Sequence, residues 1–190
     1  LDVTYNKADI PFGHRVARMI KGEIRSELKL TASAGVAPNK FLAKIASDLR
    51  KPDGLVAVMP HQVTEFLVDL PVEVIPGVGK VTREQLRRVG IDTVGQLAAR
   101  SPPQLAPHVG RRSSELWQRA QGIDDSPVRT ERDPKQLSAE TTFGDDVHDL
   151  PQMQQALEDL SQDVAMRLQR QQLRGRVVTI KVRYPDFETI

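Results

Sequence analysis

The sequence predicts an α+β multidomain chain: a partial α/β sheet unit, an all-helical unit, and a partial βαβ unit. Three observations carry this. Over residues 1–60, short apolar runs alternate with helical periodicity. Over 77–122 every signal is helical, punctuated by Gly and Pro turns. Period two then returns at Leu137–Phe143 and Arg176–Tyr184, on either side of one long helical stripe.

The elements follow in order. Leu1–Thr4 reads as a strand. Pro11 opens a helix with Phe12, Val16, Ile20 and Ile24 on one side, running to about Leu28. Thr31–Val36 suits a buried strand. The Asn39–Leu49 helix buries Phe41, Leu42, Ile45 and Leu49, and Leu55–Val58 is the next strand. His61–Leu70 is a short helix turning Val63, Phe66, Leu67 and Leu70 inward, and Pro71 and Pro76 bracket an extended link. A helix over Thr82–Val89 ends at Gly90, a favourable C′ residue. Thr93 caps a helix reaching Ala99, Ser101-Pro102 caps another, and Ser113–Ala120 ends near Gly122.

Residues 123–136 lack apolar periodicity and hold Asp124, Asp125, Pro127, Arg129, Arg132 and Pro134, which reads as a linker. Leu137–Phe143 is a strand. Asp149 caps a long helix with Met153, Leu157, Leu160, Val164 and Leu168 on one stripe. Arg176–Tyr184 is an alternating strand, and Pro185-Asp186 turns into another. The domain reading is therefore 1–60, 61–122, a linker at 123–136, and 137–190.

Composition narrows the chemistry. There are no cysteines, so disulfides and thiolate metal sites are excluded and a reducing, cytoplasmic compartment is expected. No apolar run approaches the ~20 residues of a membrane span. The net charge of +2 hides an uneven distribution: 1–60 and 76–135 are net basic, and 61–75 between them is net acidic. His14, His61, His108 and His148 have no ligand spacing.

The first candidate site lies in Gly35–Gly54, where a helix with an apolar face carries Lys40 and Lys44 and exits through Lys51-Pro52-Asp53-Gly54. Lysines there are commonly a solvated face. They also suit a polyphosphate, because lysine acts as a mobile point charge. The second candidate is Pro76-Gly77-Val78-Gly79-Lys80 before an amphipathic helix, a helix-hairpin-helix pattern. Glycine permits a tight turn and lets backbone N–H groups approach a phosphate, and the helix dipole and Lys80 add positive charge. Val109-Gly110-Arg111 echoes Val78-Gly79-Lys80 and predicts a second phosphate contact at Gly110 and Arg111. No Gly-Lys-Ser/Thr follows a four-residue spacer, so a Walker A loop is excluded. On the C-terminal strands, Thr179, Lys181 and Arg183 share one face, and Ser138, Glu140 and Thr142 share another.

The Gly35–Gly54 segment resembles the palm of Y-family DNA polymerases, most closely the DNA polymerase IV branch. The resemblance extends in order over the chain: C-terminal palm (1–60), thumb (61–122), linker, and an incomplete little finger (137–190). It implies that Lys51 contacts the triphosphate of an incoming dNTP. It implies that Gly77, Val78, Gly79, Lys80, Gly110 and Arg111 hold primer-template DNA by its backbone. Ser138, Thr142, Thr179, Lys181 and Arg183 would touch DNA phosphates from the little finger. The family's two Mg²⁺ ions are held by carboxylates expected upstream of Leu1, with Asp2 a poor substitute. The chain is accordingly expected to start inside a larger protein. No catalytic or metal residue is then assigned within 1–190, and residues 1–190 alone are expected to be inactive. A sliding clamp would be bound through regions outside this chain. The alternatives are a non-catalytic helix-hairpin-helix scaffold for DNA repair and a mutagenesis-type subunit from another Y-family branch.

Overall fold

A computed structural model describes residues 1–131 and 134–190. Arg132, one of the linker residues named above, lies outside the described residues. The chain divides into two units, Leu1–Arg129 and Thr130–Ile190.

In the first unit, helix α1 (Gly13–Leu28) precedes strand β1 (Ala34–Val36), helix α2 (Lys40–Leu49) and strand β2 (Leu55–Ala57). The strands pair in parallel, Ala34 with Leu55 and Val36 with Ala57, so α2 is the crossover. Asn39 fixes the start of α2: its Oδ1 accepts from Leu42 N at 2.9 Å. Gly35 has no side chain because none fits. A Cβ there would lie 2.0 Å from the Ala43 carbonyl oxygen, so β1 and α2 approach backbone to backbone.

Short helices complete the unit: α3 (Val63–Val68), α4 (Lys80–Arg87), α5 (Val94–Ala98), α6 (Pro102–Val109) and α7 (Ser113–Ala120). Thr93 caps α5, with Oγ1 accepting from Gln96 N at 3.2 Å. Ser101 N donates to Gln104 Oε1 at 2.9 Å at the head of α6. One apolar cluster joins Phe41, Leu42 and Ile45 of α2 to Leu67, Leu86, Leu97, Leu105 and Leu116, with Trp117 packed against it. This core is continuous across residues 60 and 61.

The second unit holds α8 (Leu150–Arg170). Leu160, Val164 and Leu168 are half-buried, and no residue of α8 is fully buried. The turn at Pro185-Asp186 brings Val182 and Ile190 together, with hydrogen bonds of 3.1 and 3.0 Å. Among the described residues, no helix is long and apolar enough to cross a membrane.

Several expectations are corrected. Leu1–Thr4 forms no strand: the Asp2 carboxylate accepts from Thr4 N, and Asn6 bonds the backbone of Ile10 in both directions, so local turns win. Between Pro71 and Pro76 the chain is not extended. It makes a 3₁₀ turn at Val72–Val74 that buries Val72 and Ile75. The helix expected from Thr82 begins two residues earlier, at Lys80. Asp149 stands at the N-cap of α8 but its side chain makes no capping bond. The strands expected at Leu137–Phe143 and Arg176–Tyr184 do not form, so the partial βαβ unit is not realised as a sheet. Among the described residues of the second unit there is one antiparallel bridge, Arg183 with Thr189. Alternation sorts side chains onto two faces, but a strand also needs a neighbour to take its hydrogen bonds. Val178 and Ile180, which the alternation puts on one face, are exposed.

Candidate nucleic-acid interface

Helix α2 ends in the turn Lys51-Pro52-Asp53-Gly54. Lys51 is exposed, and its Nζ lies 2.6 Å from Asp48 Oδ1; Lys44 Nζ lies 3.3 Å from Asp48 Oδ2. The Lys51 ammonium, and then Lys44, hold the Asp48 carboxyl below its ordinary value. Asp53 turns the other way. Lys21 Nζ of α1 donates to Asp53 Oδ1 at 2.5 Å and to the Asp53 carbonyl at 2.9 Å, and also to the Ala32 carbonyl. The turn is thus tied to α1 and leaves Lys51 free to face outward.

The glycine hairpin is held by two guanidinium groups. Gly77 adopts φ +89°, which favours glycine, and its carbonyl accepts from Arg112 Nη1 at 2.7 Å. The Pro76 carbonyl accepts from Arg119 Nη1 at 2.6 Å. Arg119 is further placed by Glu115 at 2.8 Å and lies 5.9 Å above the Phe41 ring. Val78 is buried, pinning the loop to the core. Gly79 is the N-cap of α4 at φ −85°, with open space where a Cβ would stand. Its missing side chain is therefore not demanded by the fold. Nothing on a side chain caps α4, so its first N–H groups face solvent beside the exposed Lys80.

Gly110 (φ +63°) and Arg111 open the 3₁₀ turn that leads into α7. Arg112, in that same turn, makes the bond to Gly77. The two glycine segments that echo each other in sequence are thus adjacent in space. A crevice of about 380 Å³ runs between α2 and the hairpin, lined by Lys44, Asp48, Glu73, Pro76, Gly77 and Val78 among others. Lys80, Arg111 and Lys181 make no ion pair among the described residues.

In the second unit, Ser138, Thr142, Thr179, Lys181 and Arg183 are exposed. The Ser138 carbonyl accepts from Arg167 at 3.2 Å, and Arg183 Nε donates to Thr189 Oγ1 at 3.4 Å. The sheet face expected to collect these five residues is absent. Among the described residues, no three His, Cys, Asp or Glu side chains gather to hold a metal ion.

Sequence reading missed Arg112, Arg119 and Asp48 as parts of this region, and took Asn39 only as the start of a helix. Besides capping α2, Asn39 donates to the Gly122 carbonyl at 2.8 Å, joining α2 to the end of α7. Asp48 was signalled by its spacing, four residues after Lys44 and three before Lys51.

Comparison with known proteins adds a second line. Sequence profiles of the impB/mucB/samB family match residues 1–48 and, for its C-terminal domain, 134–190. The profile described as DNA polymerase-iota, thumb domain, matches 73–124. A DNA polymerase IV of Akkermansia muciniphila is 46% identical over 187 residues, 98% of this chain and 52% of that protein. A DNA polymerase IV of Methanoculleus marisnigri is 47% identical over 189 residues, 100% of this chain and 52% of that protein. The chain spans about half the length of the curated relatives it matches. A solved Y-family DNA polymerase chimera superposes with a TM-score of 0.72 at 28% identity, covering 100% of this chain and 55% of that one.

Proposed function

Because this chain belongs to the Y-family DNA polymerases, in their DNA polymerase IV branch, we propose that it serves translesion synthesis, the extension of a primer past damaged template with deoxynucleoside triphosphates. One observation carries the reading. The C-terminal half of α2, with Lys44 and Asp48, and the Pro76-Gly77-Val78 segment of the hairpin border a single crevice, and Asp48 also holds Lys51, in the turn just after α2.

In this reading, 1–60 is the C-terminal part of the palm and 61–122 the thumb with its helix-hairpin-helix. Residues 123–136 are the linker, and 137–190 belong to the little finger. Lys51 meets the triphosphate of the incoming nucleotide. Gly77, Val78, Gly79 and Lys80, with Gly110 and Arg111, hold the DNA backbone through N–H groups and charge, positioning the duplex without reading its sequence. Ser138, Thr142, Thr179, Lys181 and Arg183 add phosphate contacts. Two Mg²⁺ ions are held by carboxylates outside residues 1–190, any sliding clamp is bound elsewhere too, and the protein works in the cytoplasm. Residues 1–190 alone then extend no primer; Mg²⁺-dependent extension by them would overturn that.

The central test is Lys51→Ala in the complete protein. Loss of a charge-assisted contact should raise KM for dNTPs about tenfold or more. An unchanged KM, with DNA binding intact, would favour a DNA-binding scaffold instead.

A further inference from the structure

Asp48 sits in the last turn of α2. A carboxylate there opposes the helix dipole, whose C-terminal end is negative, and aspartate is a poor helix former. Helix stability therefore gives no reason for it. Its neighbours do. Oδ1 holds Lys51 at 2.6 Å and Oδ2 holds Lys44 at 3.3 Å, and Asp48 and Lys44 themselves line the crevice that the hairpin also lines.

We propose that Asp48 is the resting counter-ion of Lys51, which an incoming triphosphate displaces, so that Asp48 is a positioning residue that sets nucleotide affinity. This rests on the reading of Lys51 as the triphosphate lysine. The pair is suited to exchange. The side chains of Lys51 and Asp48 are 61% and 46% exposed, so water screens their attraction and neither is locked. A polyanion attracts Lys51 and repels Asp48 together. When Lys51 swings away, Lys44 remains beside the carboxylate, so the charge left behind still has a partner. The departing lysine carries its proton throughout, and no bond is made or broken.

The experiment is a double-mutant cycle in the complete protein, with dATP opposite template thymine and KM and kcat measured separately at low salt. Asp48→Asn keeps the shape and removes the charge. It should lower KM about two- to fivefold, the scale of an exposed ion pair, with kcat little changed. Asp48→Glu should restore the wild-type KM. In a Lys51→Ala background, Asp48→Asn should have no effect. If Lys51→Ala raises KM while Asp48→Asn leaves it unchanged, the exchange is refuted and the Lys51 reading stands. If Asp48→Asn still lowers KM without Lys51, the carboxylate acts through its general field and the proposal fails. If Lys51→Ala itself changes nothing, the underlying reading falls and the proposal with it.

Discussion

Lys21 decides where Lys51 can be. By gripping both the side chain and the carbonyl of Asp53, it tethers the exit turn of α2 to α1, and Arg25 adds a weaker contact at 3.3 Å. Local pattern could not foretell this, because Lys21 and Asp53 are 32 residues apart. The role proposed for Lys51 came from the resemblance and not from spacing; of the carboxylates beside it, Asp48 was signalled by spacing, whereas the partnership of Asp53 with Lys21 was not. The tether has a pH signature. The Lys21 hydrogen bond holds the Asp53 carboxyl below its ordinary value of 3.8. The folded value is depressed, so the stabilisation is full above 3.8 and is lost as pH falls through the lower folded value. Asp53→Asn should lower the thermal midpoint at neutral pH and flatten the acid limb below about pH 4. Melting curves across that range check it; parallel limbs for the two proteins would exclude the tether as a contributor.

Elements were legible where their ends were marked. Asn39, Thr93 and Ser101 announce α2, α5 and α6, and each stands at the N-cap in the structure. Gly90 and Gly122 mark helix ends, and both take positive φ. Strands were legible only where a partner lies alongside, at β1 and β2; the alternation of Arg176–Tyr184 was real in sequence and found only the single Arg183–Thr189 bridge at its end. The hairpin shows the same distinction between pattern and need. Of its two glycines, only Gly77 has a backbone that requires one. Gly79 stands in open space at an N-cap, where Asp is favoured over Gly. Gly79→Asp should therefore fold at least as stably as the wild type, and on the proposed reading of the hairpin it places a negative charge against the DNA backbone. Anisotropy titrations with two unrelated duplexes should show equal weakening, roughly tenfold at low salt, with a shallower salt dependence. Undiminished affinity in a folded variant would remove the hairpin from the interface.

At the scale of the whole molecule, the helical order of 77–122 and the two basic blocks could be read in advance, but the sharing of one core by α2 and the later helices could not. That sharing joins residues dozens of positions apart, and apolar periodicity says which face is inward without saying what it meets. Leu116 is fully buried at the centre of this cluster. Leu116→Ala should cost about 2–5 kcal/mol and lower the unfolding midpoints of β1-α2-β2 and of the later helices together. Hydrogen exchange that opens one while sparing the other would contradict a common core. Trp117, the neighbouring residue, gives this core an optical voice. It is the single tryptophan of residues 1–190, and the second unit has none. Its emission under red-edge excitation comes from the first unit alone. Lying in the helix that Arg112 joins to the hairpin, it offers a label-free signal for any ligand that reshapes that loop.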